Sequence, residues 1–469
     1  MNVLTGNYDV LRSIVDMLSP QEAIPLSSTS RDLHSASRRH AFSRAKPRSH
    51  DQLVRMHDCL TRNVDDRTIW PRKLIIGRSI TWIPARYGDA GSPMHALVGI
   101  LRHAHDLEAM EFTDFEEALE QDREIGECLV TLPCLSELHL GGIGAIAVDV
   151  FCRMMSRPKT VHLHEFYFDV QIMRIARAAV MDNVQQLCLF DLGSNDLVEV
   201  DPQPLGLESH PSLQTLRLRS CVVYPFLTLF PNIRRLTVRH GDFLIGDAPE
   251  RHLQLQHLSI DASATIPALA TDSLELHLTS RVVDSSEELT NRISEAVVFR
   301  LSIQPRFRAL AASGTALIRT ISTRVSRVRY FILILKTDGQ SESINWMKNT
   351  LPMLASAQLV CMRVDTQGTF DSSIPRPTRW PTSMQQMETA RLFHLPSLRF
   401  YSQRYDIRDL HDRSLIYSKV SWGRVERDGG RYVLKPISNV AGEAIHRYLQ
   451  SPEFSGTLQF DEGAALRYA

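Results

Sequence analysis

Four stretches between Val184 and Asp261 share one pattern of apolar and polar positions. Each has apolar residues at its first, fourth and sixth positions. Positions four and six are two apart, so on a β-strand they point to one face of a sheet, and positions three, five and seven point to the other. The pattern predicts strands that bury one face at the triads Val184/Leu187/Leu189, Leu213/Leu216/Leu218, Ile233/Leu236/Val238 and Leu255/Leu258/Ile260.

The spacing of these strands indicates a repeat. Their first positions are 29, 20 and 22 residues apart. One such strand cannot bury its apolar face alone, whereas stacked copies can. Weaker copies precede and follow the four, at Leu74/Ile76, Leu107/Met110/Phe112, Leu135/Leu138/Leu140, Val161/Leu163, Leu274–Leu278, Val298/Leu301/Ile303, Val328/Phe331/Leu333, Leu359/Met362/Val364 and Leu395/Leu398/Phe400.

The pattern resembles the L-x-x-L-x-L core of leucine-rich repeats. Helical patterns lie between the strands, for example at 168–181 and 308–325. We therefore expect an α/β fold, an irregular leucine-rich-repeat solenoid with a parallel sheet on its concave side and helices on its convex side.

Three short helices are predicted before the repeats. Apolar residues recur at helical spacing from Leu11 to Leu18, and Ser19-Pro20 suits the end of that helix and the start of the next. Ile24 and Leu26 lie on the second helix, and Ser30 can cap a third. So few residues bury little surface, and such a module usually needs a partner.

This N-terminal stretch resembles an F-box. The resemblance is carried by Leu18-Ser19-Pro20 and by the run from Leu26 to Leu33, LSSTSRDL. It implies docking on a Skp-type adaptor, and through it on a cullin scaffold, by Leu11, Ile14, Leu18, Pro20, Ile24, Leu26 and Leu33. The alternative is that the three helices only cap the open end of the repeats.

Four segments follow from these patterns. We expect a helical module at 1–45, a linker helix within 46–70, repeats over 71–402 and a C-terminal cap over 403–469. In the cap, alternating residues flank the turn Asp428-Gly429-Gly430 and predict a hairpin, and Ala441–Leu449 is a predicted helix.

Composition narrows the possible functions. Lys+Arg and Asp+Glu are both 53, so no net charge attracts the chain to nucleic acid or membrane. The seven cysteines contain no C-x-x-C pair, which favours reduced thiols in the cytoplasm or nucleus. We expect no secretory signal, and the longest purely apolar run, Phe331–Leu335, is far too short to span a membrane.

Positions three, five and seven of the strands predict a binding face. Arg217, Arg219, Arg235 and Arg239 fall on it and would form a basic patch for an acidic or phosphorylated target segment. The alternative is a solvated face with local acidic partners, namely Asp242, Glu250 and Asp261. Tyr330, Ile332 and Ile334 would lie further along, as an apolar anchor site or under the C-terminal cap.

Two further patterns suggest other chemistry. His139, His162 and Cys188 share position five on successive strands and could hold zinc, although plain surface residues are the favoured interpretation. Gly142-x-Gly144-x-x-Ala147 imitates a dinucleotide fingerprint, but the strand before it alternates with polar residues, unlike a strand buried on both faces. No hydrolase, metalloprotease or P-loop pattern is present, so we expect no catalytic residues, metal or cofactor.

Taken together, the chain resembles divergent fungal F-box proteins with C-terminal leucine-rich repeats. The resemblance implies a non-catalytic substrate receptor of an SCF-type cullin-RING ubiquitin ligase. The alternative function is a repeat scaffold for protein interaction with no role in ubiquitination.

Overall fold

In a computed structural model, the chain divides into two compact units, Met1–Ile233 and Arg234–Ala469. This division differs from the four expected segments, whose boundaries stay a prediction. The structure describes residues 13, 15, 18, 20–29, 31–62, 70–78, 93–167, 172–192, 210–221, 223–240, 254–261, 270–278, 293, 295–304, 307–324, 327–337, 340–370, 395–409, 415–428 and 431–469.

The described strands of the first unit pair in chain order, and every pair is parallel. They are β1 (Arg44–Ala45), β2 (Lys73–Ile76), β3 (Ala109–Phe112), β4 (Glu137–Ile143), β5 (Thr160–Phe166), β6 (Gln186–Phe190) and β7 (Thr215–Arg219). Between them lie α3 (His50–Thr61), α4 (Pro93–His103), α5 (Phe115–Gln121), α6 (Glu124–Thr131), α7 (Ala145–Arg153), α8 (Ile172–Ala176), a 3-10 turn (Ala179–Asn183) and, after β7, α9 (Tyr224–Leu229).

The predicted repeat register is confirmed in this unit. Leu138, Val161, Leu187 and Leu216 pair in one row, and each is at most 1% exposed. Apolar groups of this size each gain roughly 1.5–3 kcal/mol from burial, so the row forms a continuous core. The other face of the sheet carries positions three, five and seven, and we call it the polar face.

A repeated backbone conformation follows the strands. Asp114, Gly142, Glu165, Asp191 and Ser220 all have φ between 53° and 65°, in the left-handed region. Each is the eighth residue counted from the first position of its repeat. Asp and Gly tolerate this conformation better than most residues. The chain therefore turns off each strand in the same way, which supports one structural unit repeated along the sheet.

The second and third of the expected N-terminal helices start where the sequence predicts, and the first lies largely outside the described residues. Helix α1 (Pro20–Ser27) begins at Pro20, and α2 (Arg31–Phe42) follows. Their small core consists of Val15, Ala23 and Ala36, with Ala41 packed against it. The expected linker helix is α3, which starts at the Ser49 cap and buries Leu53 and Leu60.

The second unit continues with parallel strands and ends in antiparallel ones. Strands β8 (Arg235–Arg239), β9 (Gln254–Asp261), β10 (Ala270–His277), β11 (Val298–Ile303), β12 (Tyr330–Thr337), β13 (Cys361–Phe370) and β14 (Phe400–Asp409) pair in parallel, and β15 (Leu415–Asp428) and β16 (Arg431–Ile437) add antiparallel. The predicted hairpin is confirmed, since Asp428 pairs with Arg431. Parallel pairing runs through the expected repeat end at 402 to Asp409.

Helices complete this unit. They are α10 (Arg308–Arg324), α11 (Gln340–Thr350), a 3-10 turn (Leu351–Ser356), α12 (Asn439–Leu449), α13 (Pro452–Thr457) and α14 (Glu462–Leu466). Residues 439–466 cover the polar face of β11–β15, where Ile445, Tyr448, Leu449 and Phe454 form a core with side chains of those strands. We call residues 439–469 the C-terminal cover.

The C-terminal cover corrects two of the predicted target contacts. Tyr330 is fully buried and Ile332 is 3% exposed, both inside the core beneath the cover. Ile334 is partly buried against the same core. Tyr330 and Ile332 are therefore not exposed anchor sites for a target, and the alternative of burial under the cap describes them.

Two registers also differ from the expected ones. Arg300 pairs with Ile332 rather than with Tyr330, a shift of two residues that leaves it on the polar face. Phe400 was expected on the helix-facing side, but it pairs with Cys361 on the polar face and joins the core beneath the C-terminal cover. Where the polar face is covered, apolar residues on it are buried. The alternation of apolar and polar residues along the strand therefore no longer tells which face is the helix-facing one.

None of the described helices combines the length and the apolar character that crossing a bilayer requires.

Candidate functional site

The polar face of the first unit brings the predicted position-five residues into one row. Glu111 pairs with His139, His139 with His162, His162 with Cys188 and Cys188 with Arg217. Equal positions of neighbouring strands lie about 4.8 Å apart. The row therefore runs from a carboxylate at one end to a guanidinium at the other, with two imidazoles and a thiol between them.

Two imidazoles in this row are stacked. The ring centroids of His139 and His162 lie 3.9 Å apart with an interplanar angle of 17°. Burial, together with repulsion from His139 and Arg217, lowers the pKa of His162 to about 4. Burial also lowers the pKa of His139. Both rings are neutral at physiological pH, because two stacked imidazolium ions would repel each other.

The same row does not form a metal site in the described part of the chain. Cys188 is fully buried, and burial raises the pKa of its thiol, which opposes the thiolate that a metal needs. Gln186 Nε2 lies 3.2 Å from His162 Nε2 and donates to it, so that nitrogen is already an acceptor. No group of three described His, Cys, Asp or Glu side chains is placed to hold a metal ion.

The row ends at Arg217, which is exposed, and Arg219 lies two residues further along the same strand. Arg217 and Arg219 both point away from the core of β7, because the strand alternates buried Leu216 and Leu218 with them. Arg219 Nε lies 3.6 Å from Asp191 Oδ1. No described acidic side chain of this unit pairs with Arg217. In the position-three row of the same face, Lys73 Nζ donates to Glu137 Oε1 at 3.0 Å, so that pair is already neutralised.

Arg235 and Arg239 belong to the second unit, so the predicted patch of four arginines stays a prediction. Arg235 is exposed on β8, but Arg239 is bound within its own unit. Arg239 Nη1 lies 3.1 Å from Asp261 Oδ1, and its Nη2 donates to Ser259 Oγ at 3.3 Å. Asp261 thus acts as the local acidic partner named in the alternative interpretation. Asp242 and Glu250 lie outside the described residues.

The polar face of β9–β11 is a connected charged network. Glu275 lies between His277, whose Nε2 is 2.7 Å from Oε1, and His257, whose Nε2 is 3.6 Å from Oε2. Burial by itself would raise the pKa of Glu275, but hydrogen bonds from both histidines and the charge of Arg300 hold it well below its usual range. Burial lowers the pKa of His277, and Glu275 opposes that shift. The network is internally balanced and leaves little capacity for another ligand.

The dinucleotide-like stretch is filled by a side chain of the protein itself. Glu116 on α5 accepts hydrogen bonds from the backbone N–H groups of Gly144, Ile146 and Ala147, at 3.1, 2.9 and 2.7 Å. These are the free N–H groups at the start of α7, which bind a phosphate in a nucleotide site. The carboxylate takes that place. A Cβ atom added at Gly144 would lie only 2.4 Å from Glu116 Cδ. Glycine at this position therefore leaves room for the carboxylate.

The predicted adaptor-binding residues are described in part. Ile24 on α1 is 57% exposed, whereas Leu18 and Leu26 are half-buried. The backbones of Pro20 and Leu33 lie in α1 and α2, and their side chains lie outside the described part, as do residues Leu11 and Ile14. Among the described residues of this module, two large apolar side chains are exposed, Ile24 on α1 and Phe42 at the end of α2, and Ile24 is the one that the resemblance places at the adaptor.

The C-terminal cover makes specific polar contacts to the strands beneath it. The Tyr330 hydroxyl and His446 Nδ1 lie 2.5 Å apart, and Glu443 lies 3.5 Å from Arg363 Nη1. Arg300 donates to Gln450 Oε1. Each of the two position-five arginines beneath the cover, Arg300 and Arg363, thus has a partner on it.

Comparison with protein-family models gives no matching family, and comparison with curated proteins gives no match.

Proposed function

We propose that this protein is a non-catalytic receptor that binds a Skp-type adaptor through its N-terminal helices and holds a target protein on its repeats. In this role it would deliver the target to an SCF-type cullin-RING ubiquitin ligase. The resemblance to F-box proteins with leucine-rich repeats supplies this hypothesis, and the contacts described above supply its support.

The observation that carries the proposal is the exposed apolar surface of a module with a very small core. The described core of the N-terminal helices contains only Val15, Ala23 and Ala36, while Ile24 is 57% exposed. Burying a large aliphatic side chain is favourable by roughly 1.5–3 kcal/mol of free energy, which an exposed one does not contribute. A partner that buries Ile24 would recover that free energy.

The second support is the repeated unit itself. The parallel strands, the buried row from Leu138 to Leu216 and the recurring left-handed residue are what stacked leucine-rich repeats would produce. Repeats of this kind present an extended polar face for protein partners. The described residues form neither a metal cluster nor a vacant anion site at α7, which leaves binding as the best-supported function.

The test compares two equivalent changes. Ile24→Asp in the full chain should abolish co-purification with a Skp-type adaptor from cells of the source organism. Val440→Asp is the matched control, since Val440 is also an exposed apolar residue on a helix, at 67% exposure. Both variants should keep the wild-type unfolding transition, because neither side chain contributes to a core.

The other candidate is a repeat scaffold without a role in ubiquitination. If the wild-type chain binds no Skp-type adaptor, or if Ile24→Asp binds it as well as wild type, the receptor proposal fails. In that case, the N-terminal helices act as a cap on the sheet, and Ile24→Asp leaves all partner binding unchanged.

A further inference from the structure

We propose that the target segment binds the polar face of the first unit, with an acidic side chain at Arg217 and Arg219 and an aromatic side chain beside Phe190 and the His139–His162 stack. The inference rests on the proposed function and assigns its target-binding surface. It also states the chemistry of the segment, an acidic residue close in sequence to an aromatic one.

The first step is the state of the same face in the second unit. There Tyr448 and Phe454 of the C-terminal cover form a hydrophobic core with Tyr330, Ile332 and Phe400, so the strands beneath the cover are occupied. Displacing it would expose several large apolar side chains to water, which is unfavourable. A target therefore has to use strands of the polar face that the C-terminal cover leaves open.

The second step is the chemistry by which the protein covers its own face. Arg363, at position five of β13, lies under Glu443, whose carboxylate also accepts from Trp422 Nε1 at 3.3 Å. The guanidinium of Arg363 in turn lies 5.9 Å from the centroid of the Trp422 ring. This arginine is thus paired with Asp365 of its own strand at 2.7 Å and with Glu443 of the C-terminal cover, beside the ring of Trp422 on β15.

The third step is that position five of β7 has the same type of side chain without such a partner. Arg217 is exposed, and in the described part of its unit no carboxylate pairs with it. Arg219 is two residues further along the same strand, so its Cα lies roughly 6.6–6.8 Å from that of Arg217 and both side chains are on one face. Arg219 is held by Asp191 over 3.6 Å and is 53% exposed, so that pair is weak.

The fourth step is the aromatic character of the neighbouring positions. Phe190 is half-buried beside Arg219 in the register, and its ring centroid lies 6.4 Å from that of His162. The two histidines stack and stay neutral at physiological pH, as shown by the lowered pKa values of His139 and His162. Neutral rings next to arginines favour an aromatic side chain, which stacks on both kinds of group.

The experiment selects random peptides displayed on phage against the immobilised full chain. We expect the enriched peptides to contain an acidic residue within a few positions of Phe, Tyr or Trp. An enriched peptide, labelled with fluorescein, should bind wild type, and binding should weaken as salt rises. Arg217→Glu with Arg219→Glu should lower its affinity about tenfold or more, and Phe190→Ala should also weaken it.

Arg177→Glu is the matched control, because Arg177 is an exposed arginine of the same unit that follows α8 and belongs to none of the strands. It should leave the affinity within about twofold of wild type. Urea unfolding of each variant monitors the fold, and Arg217→Gln replaces the double reversal if that variant is unfolded. Failure to enrich peptides, enrichment without acidic residues, or equal affinity for the reversed variant would overturn the assignment. Adaptor binding, measured separately with Ile24→Asp, reports on the proposed function and does not depend on Arg217.

Discussion

Tyr330 on β12 and His446 on the C-terminal cover are joined by a hydrogen bond, with the Tyr330 hydroxyl and His446 Nδ1 2.5 Å apart. Gln450 fixes the tautomer. Its Oε1 accepts from Arg300, so its Nε2 is the donor that lies 2.8 Å from His446 Nε2. His446 Nε2 is then an acceptor, and Nδ1 carries the proton and donates to Tyr330. A second proton on His446 would face the Gln450 amide donor.

This arrangement predicts acid sensitivity of the C-terminal cover. Burial lowers the pKa of His446 to about 3, and the charges of Arg363, Arg300 and Arg404 contribute. Because the folded-state pKa lies below the unfolded value of about 6.5, the unfolded chain binds the proton first, and stability falls as pH drops below about 6.5. Between pH 7 and pH 5, this group should cost about 1–2 kcal/mol of the free energy of unfolding.

Urea unfolding at several pH values measures that loss, and His446→Gln serves as the comparison. The glutamine side chain is polar but does not titrate. The slope of unfolding free energy against pH should be shallower in the variant between about pH 6 and pH 4. Identical slopes for both proteins would show that His446 is not held neutral.

The contact between Gly442 and Trp422 predicts a second effect on the C-terminal cover. A Cβ at Gly442 would lie 2.1 Å from Trp422 Cγ, so Gly442→Ala forces the ring or α12 to move and should cost about 1–3 kcal/mol. Gly456→Ala is the control, because nothing lies within 4 Å of an added Cβ there. That change should be neutral or stabilise by up to about 1 kcal/mol, since alanine favours a helix. Thermal unfolding of both variants distinguishes the two sites, and equal shifts would contradict the packing.

The repeat strands could be predicted from the sequence because each apolar triad is local and directly coupled to burial. Leu187 and Leu189 lie two apart and are each 1% exposed, as the period of a strand requires. The pattern misled where another part of the chain covers the polar face. Phe400 looked like a helix-facing residue, but the cover that buries it lies far along the chain, and no local period reports such a contact.

For the candidate site, the sequence predicted which residues lie on the polar face, but not which of them form contacts with one another. The row from His139 to Arg217 follows from the repeat register, and the structure confirms that register. Whether an arginine forms an ion pair depends on the side chains of the neighbouring strand. The sequence alone therefore could not decide that Arg239 pairs with Asp261. Glu116 was missed for the same reason, because its partners lie one repeat further along the chain.

Glu116 gives a prediction about the start of α7. Its carboxylate, 5% exposed, satisfies the N–H groups of Gly144, Ile146 and Ala147. Glu116→Ala leaves these donors unpaired in a buried place and should lower the free energy of unfolding by about 2–3 kcal/mol. Glu117→Ala, the exposed neighbour on α5, should change it by no more than about 0.5 kcal/mol. Urea unfolding checks both, and equal effects at the two positions would contradict the stabilising role of the Glu116 hydrogen bonds.

The last prediction concerns the repeat core and its polar face on a single strand. Leu216 is fully buried on β7 in the row with Leu187, whereas Thr215 beside it faces the polar side and is half-buried. Leu216→Ala removes a side chain and leaves a cavity, which should cost about 2–5 kcal/mol of unfolding free energy. Thr215→Ala removes only a small group from the other face and should cost at most about 0.5 kcal/mol. Because the two residues are adjacent, any general effect of altering β7 would appear in both variants. Urea unfolding with equal midpoints for the two would mean that the strand is turned over, and the placement of Arg217 and Arg219 on the polar face would be wrong with it.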